Sequence, residues 1–160
     1  MNVEISSLKK SEIKKVAKIA SQCFSGLKDI KKARKWVSCN FKAFPRMKYF
    51  VASKDKKIFG YILWLEKGGF RKEAVFELEQ IAVSPGYQGK GIGTKLIKQS
   101  LEIIKKDLKK RNSKLKLIEV TTGKENRAQI LYKKTLGAEV ECIVRNLFRG
   151  DEVIMIARFK

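Results

Sequence analysis

Residues 75–94, Val-Phe-Glu-Leu-Glu-Gln-Ile-Ala-Val-Ser-Pro-Gly-Tyr-Gln-Gly-Lys-Gly-Ile-Gly-Thr, constrain the fold more tightly than any other stretch of the chain. An apolar run of strand character ends at a Pro-Gly turn, and a loop with glycine at every second position opens directly into a helical pattern. Because glycine has no Cβ, Gln88-Gly89-Lys90-Gly91-Ile92-Gly93 can turn several backbone N–H groups toward one anion. A helix beginning near Thr94 adds its own unpaired N–H groups and the positive end of its dipole. A cofactor carrying a diphosphate is therefore the first expectation. Two common phosphate loops do not fit. A Walker loop needs Gly-Lys followed by Ser or Thr, and here Gly91 follows. A dinucleotide fingerprint needs Gly-x-Gly-x-x-Gly in the first strand–helix unit, with an acidic residue about 20 positions on.

The length of 160 residues suits one domain, 1–160, able to bury roughly 70% of its unfolded surface. Cys23, Cys39 and Cys142 are odd in number, widely spaced and without a Cys-x-x-Cys pair, so neither a disulfide framework nor a zinc site is expected. Histidine is absent, which excludes Ser-His-Asp and Cys-His catalysis, His-ligated zinc and imidazole bases. No metal is expected. The N-terminus has no apolar signal core and the longest apolar runs are too short to span a bilayer, so a soluble, cytoplasmic protein without a membrane partner is expected.

The net charge of +21 is spread over every predicted helix and clusters at Lys28–Lys35, Lys105–Lys116 and Lys133–Lys134. A solvated lysine-rich surface is favoured over attraction to nucleic acid or ribosomes, because no aromatic-interleaved basic motif accompanies the charge.

Periodicity gives the order of elements. Val3–Ser7 reads as a strand. A helix capped by Ser11 follows, with Ile13, Val16, Ala17, Ile19 and Ala20 at helical spacing. A second helix, Ile30–Phe41, places Ala33, Trp36, Val37 and Phe41 on one face and ends before Pro45. Lys48–Ser53 and Ile58–Leu65 form a hairpin across residues 54–57, and Glu73–Val83 is the next strand, after a Gly68-Gly69 turn. The helix Thr94–Lys110 turns Leu96, Ile97, Leu101, Ile104 and Leu108 inward. Strand Lys114–Thr121, helix Asn126–Leu136 and the paired strands Ala138–Arg145 and Val153–Phe159 complete the order β-α-α-β-β-β-α-β-α-β-β.

The apolar strand ending Ile-Ala-Val-Ser-Pro, followed by Gln88-x-x-Gly91-x-Gly93, resembles the acetyl-CoA-binding motif of the GNAT acyltransferase superfamily. The order of elements matches that fold along essentially the whole chain. The resemblance implies an α/β protein with a mixed seven-stranded sheet that splays between its fourth and fifth strands. It implies that the backbone of Ile81 and Val83 meets the pantetheine arm of acetyl-CoA. Gln88, Gly89, Lys90, Gly91, Ile92, Gly93 and Thr94 would meet the pyrophosphate. A second block, Asn126-Arg127-Ala128-Gln129-Ile130-Leu131-Tyr132 through Gly137, is similar to a segment of the family's protein N-terminal acetyltransferases, with Ala138 where Phe is usual. It implies Asn126 and Tyr132 as cofactor contacts and the Tyr132 hydroxyl as the acid for the leaving thiolate.

The base is left among Glu77, Glu79 and Glu119. Glu79 and Glu119 together are favoured, with water relaying the proton, because a carboxylate among apolar strand neighbours is costly unless used. If the strand is regular, Glu77 and Glu79 share parity with Ile81 and Val83; a bulge, common in this family near the cofactor, would break it. The implied activity is direct acetyl transfer to a primary amine of a small molecule, a protein N-terminus or a lysine. The alternative is a GNAT-fold module that binds RNA or ribosomes with little or no catalysis. A homodimer is left open, and the acceptor is not readable from the sequence.

Overall fold

The computed structural model describes every residue from Met1 to Lys160. Its elements are β1 (Glu4–Ser7), α1 (Ile13–Cys23), α2 (Ile30–Lys42), β2 (Met47–Lys54), β3 (Lys57–Lys67), β4 (Glu73–Val83), α3 (Ile92–Lys110), β5 (Lys114–Gly123), α4 (Ala128–Leu136), β6 (Glu139–Val144) and β7 (Glu152–Arg158). The seven strands form one mixed sheet in the order β1-β2-β3-β4-β5-β7-β6. β4 and β5 are parallel, as a strand–helix–strand crossover requires, whereas β5 with β7 and β6 with β7 are antiparallel. The α/β class, the element order and the seven strands agree with the sequence expectation. By contact density the chain divides into two compact units, Met1–Trp64 with Gln80–Leu101, and Leu65–Glu79 with Glu102–Lys160.

In the first unit the apolar faces of α1 and α2 pack on the sheet. Val16, Ala17, Ile19 and Ala20 from α1 and Ala33 and Val37 from α2 are buried with Tyr49, Val51, Tyr61, Leu63 and Ala82. Trp36 is a correction: it stands 41% exposed, and Asn40 takes the buried place on α2 because its Nδ2 donates to the Tyr49 hydroxyl at 3.1 Å. Ser11 is another. It lies inside a 3₁₀ turn, Lys10–Glu12, and it is the Glu12 carboxylate that accepts from the Lys9 N–H at 2.9 Å, so α1 starts only at Ile13. Asp29 caps α2 by accepting from Lys31 and Lys32. Asp55 and Lys56 adopt positive φ, 50° and 62°, the two-residue turn that matches the twist of a hairpin. α3 starts two residues before Thr94, at Ile92. Its buried Ser100 hydroxyl accepts from the Trp64 indole N–H at 2.8 Å and donates to the Leu96 carbonyl.

In the second unit β5, β6, β7 and α4 pack together. Glu66 at the end of β3 is buried and takes a two-pronged bond from Arg111, Nη1 to Oε2 at 3.1 Å and Nη2 to Oε1. α4 begins at Ala128 rather than Asn126, and Gly137 closes it at φ 68°. The β4–β5 ladder pairs Glu73 with Lys114 and proceeds to Glu77 with Glu119, with an irregularity at Ala74/Val75. It ends there, although β4 runs on to Val83 and β5 to Gly123.

Gly60 on β3 decides how closely that strand meets the far end of β4. A Cβ there would stand 2.7 Å from the Ala82 carbonyl oxygen and 3.3 Å from the Val83 Cα, both backbone atoms with little room to move. Gly60→Ala is expected to destabilise the protein by about 1–3 kcal/mol, read from the urea unfolding midpoint. A midpoint unchanged from the parent would show that the β3–β4 contact at Val83 is loose.

Candidate active site

The first unit holds the glycine loop. Gly86, Gly89 and Gly91 have φ of 84°, 74° and 78°, a region that side chains rarely adopt. A Cβ built on Gly89 or Gly91 meets nothing within 4 Å, so the space beside both backbones is open. Gly93 has no positive φ: it lies in the first turn of α3, a turn that carries no acidic side chain. The loop N–H groups and those of Ile92, Gly93 and Thr94 are thus the groups free of Cβ obstruction or of intrahelical partners. The Gln88 side chain is turned away from such a role. Its Nε2 donates to the Val83 carbonyl at 3.1 Å, which also accepts a 3.5 Å contact from the Cys23 thiol. Ile92 buries its side chain, and the Lys90 ammonium lies 5.0 Å from the centre of the Tyr87 ring. Ile81 and Val83 are half-buried at the end of β4.

Burial alternates along β4 with one exception, at Gln80. Ala74, Phe76 and Leu78 are buried at every second position, but Glu79, Gln80 and Ile81 are half-buried in succession, and Gln80 accepts from the Tyr61 hydroxyl at 3.1 Å. Ala82 is buried again, so Glu77 and Glu79 share their half-buried parity with Ile81 and Val83.

The second unit brings Glu77, Glu79 and Glu119 together with a residue the sequence reading missed. Lys67, at the end of β3, reaches Glu119 Oε2 at 2.7 Å and Glu77 Oε2 at 3.4 Å. Burial pulls the Lys67 ammonium down, but the bonds and charges of Glu119 and Glu77 outweigh that and hold it above the ordinary lysine range. Glu79 is pushed up from the usual carboxylate range, first by burial, then by the charge of Glu77 and a hydrogen bond to it; the Lys67 charge opposes this in part. Glu119 thus spends an oxygen on a cation, whereas Glu79 holds a proton more readily than an ordinary carboxylate. A base with that affinity is better matched to neutral pH. The signal that could have found Lys67 was its place two strands from Glu119 in the predicted sheet, obscured in a chain with 37 Lys and Arg residues.

Tyr132, on α4, is 6% exposed, and burial pushes its phenol up to about 12, so it keeps its proton across the physiological range. No polar side-chain atom in the protein is both fully buried and unpartnered. The Tyr132 hydroxyl, which has no partner within the protein, is therefore the accessible tip of a buried ring. Asn126 stands just before α4, where its Oδ1 accepts from the Ala128 N–H at 2.9 Å. Its side chain is first of all a helix cap, and Nδ2 is what remains for a ligand. Gln129 ties the start of α4 to β5 through the carbonyls of Gly123 and Lys124, at 3.1 and 2.7 Å.

The sequence profile of the Acetyltransferase (GNAT) family matches residues 13–138, and the chain belongs to that family. An uncharacterized N-acetyltransferase of Methanocaldococcus jannaschii is 30% identical over 125 residues, which cover 74% of this chain and 52% of the relative. The chain thus spans about half the length of that curated relative. Among solved structures, the ribosomal-protein-S18-alanine N-acetyltransferase of Escherichia coli aligns with a TM-score of 0.72 at 23% identity, over 98% of this chain and 94% of that one. A spermidine N-acetyltransferase of Vibrio cholerae aligns with a TM-score of 0.74 at 18% identity, over 98% and 93%. At these identities the likeness is one of fold.

The raised proton affinity of Glu79 has a sign in stability. A carboxyl that binds its proton more tightly when folded costs stability as pH rises from its unfolded value through its folded one, and the cost is fully present above both. Glu79→Gln is therefore expected to raise the melting temperature at pH 7.5 relative to the parent and to lose that advantage in acid, below the unfolded glutamate value. Glu119→Gln, which breaks the 2.7 Å pair with Lys67, is expected not to show this gain. A Glu79→Gln protein no more stable than the parent at pH 7.5 would contradict the assignment.

Proposed function

We propose that the protein transfers the acetyl group of acetyl-CoA to a primary amine by direct attack in a ternary complex. The observation that carries this reading is the positive-φ glycine loop opening into α3, in a chain whose family consists of acetyltransferases that use acetyl-CoA. In it the N–H groups of Gly89 to Thr94 hold the diphosphate. The β4 edge beyond Glu77, where the ladder with β5 has ended, offers backbone groups to the pantetheine amides as an added strand would. Ile81 and Val83 lie on that stretch. A cytoplasmic location fits this reading, and the acceptor is a small amine, a protein N-terminus or a lysine.

The transfer requires two protons to leave the acceptor nitrogen. Glu79 takes the first, directly or through water, and turns an ammonium into a nucleophile. The neutral nitrogen attacks the thioester carbon, forming the C–N bond, and the C–S bond then breaks. The departing thiolate receives a proton from the Tyr132 hydroxyl, which is made good by the second proton from nitrogen. Because its ring is buried and only its tip is open, Tyr132 is held in one orientation for this transfer. No covalent acyl-enzyme is needed: Cys142 is exposed on the late strand β6, and Cys39, exposed on α2, falls in neither matched motif.

Thiol release from acetyl-CoA, with spermidine, an alanine-first peptide and a lysine-containing peptide as acceptors, tests the reading. Tyr132→Phe is expected to lower kcat by about 10²–10⁴-fold, with little change in KM for acetyl-CoA. Since the hydroxyl has no partner within the protein, the variant should melt no lower than the parent. Equal rates in parent and variant would return Tyr132 to a packing role. Absence of acetyl-CoA-dependent thiol release with all three acceptors would count against the activity itself.

A further inference from the structure

Three carboxylates, Glu77 and Glu79 on β4 and Glu119 on β5, are met by one cation, Lys67, at the end of β3. Lys67 is not placed at random among the many surface lysines. Gly68 and Gly69, at φ of 73° and 88°, turn the chain immediately after it, so β3 ends with this side chain directed at the rung where the β4–β5 ladder stops. Its two contacts are unequal, 2.7 Å to Glu119 and 3.4 Å to Glu77, and neither goes to Glu79.

We propose that Lys67 is a positioning residue for acetyl transfer: its ammonium ties down Glu119 and Glu77 as ion-pair partners and leaves Glu79 as the carboxylate free to take the proton of the acceptor amine. The base is thus selected by a division of labour within the cluster. Glu119, one of the two carboxylates favoured from the sequence, has an oxygen committed to the lysine. Glu79 is half-buried, faces the negative charge of Glu77 on its own strand, and feels Lys67 from β3 only through space. Lys67 also sets how strongly Glu79 holds a proton, because its charge is the one opposing burial and Glu77. This inference depends on the acetyl-transfer reading for its catalytic meaning, but the first measurement of it needs no acceptor.

The test uses the whole chain with glutamate labelled at the side-chain carboxyl with ¹³C, Glu79 being assigned from its Gln variant. Lys67→Met removes the charge and Lys67→Arg keeps it; Lys67→Gln serves in place of Met should that variant fold poorly. The Glu79 midpoint is expected to move further up in the uncharged variants and to stay near the parent value in Lys67→Arg. With any acceptor that supports thiol release, the acidic limb of kcat/KM should move up with it, and Arg should restore the limb. A purely structural Lys67 would lower the unfolding midpoint and leave the Glu79 titration where it was, and that result would overturn the proposal. So would an equal displacement of the Glu79 midpoint in the Arg and Met variants. If no variant and no parent protein releases thiol, it is the acetyl-transfer reading that fails, and the titration still decides what Lys67 does to Glu79.

Discussion

Between Val83 and Ile92 the backbone must turn from a strand into the longest helix of the protein, and it does so through three residues at positive φ. This constraint governs much else. It fixes where α3 begins, and so which of its side chains are buried. Leu96, Ile97, Leu101, Ile104 and Leu108 reach the interior only if the helix starts in that phase. It leaves open space beside Gly89 and Gly91, where any side chain would bring a strained backbone. The turn is also anchored from outside. The Ser84 N–H donates to Phe59 at 2.7 Å, Gln88 folds back onto Val83, and Lys57 donates to the Tyr87 hydroxyl at 2.8 Å. A loop held in this way presents its N–H groups without rearrangement, which lowers the ordering cost of binding an anion.

The second feature is electrostatic and runs against the composition. In a chain of net charge +21, three glutamates are gathered at the end of one ladder with a single lysine among them. Elsewhere Asp29 caps a helix, and Glu66 and Glu141 pair with Arg111 and Arg158. Glu79 differs. It is half-buried without a close cation, and its proton affinity rises accordingly. Tyr132 is displaced the same way by burial alone. One group is thereby brought toward neutral pH from below and the other kept protonated, the pattern by which acid and base roles are separated in one protein.

Much of the fold was legible because it rests on periodicity and on backbone exceptions. β4 was read with its bounds unchanged, and the hairpin turn at residues 54–57 and the glycine turn at 68–69 followed from residue type. The departures came where side-chain partners decide. Glu12 rather than Ser11 satisfies the N–H ahead of α1, and Asn40 displaced Trp36 from the buried face because it finds a phenol partner. Asn126 caps α4 from outside it. At the site, the loop glycines were visible because positive φ selects for glycine, and Tyr132 because its neighbours match a family segment. Lys67 was not, since a lysine acquires meaning only when two other strands bring carboxylates to it. Strand parity was legible as well: Glu77, Glu79, Ile81 and Val83 are all half-buried, and among the alternate positions from Ala74 to Ala82 only the polar Gln80 is not fully buried.

The account stands or falls on whether acetyl moves from sulfur to nitrogen on this protein. The most direct measurement supplies trideuteroacetyl-CoA with a mixture of small amines and short peptides and follows the label by mass spectrometry alongside free CoA thiol. The account predicts that the label appears as an amide on an acceptor nitrogen, with one thiol released for each label transferred. Label recovered only as acetate, or retained on acetyl-CoA that the protein binds without turnover, would contradict it.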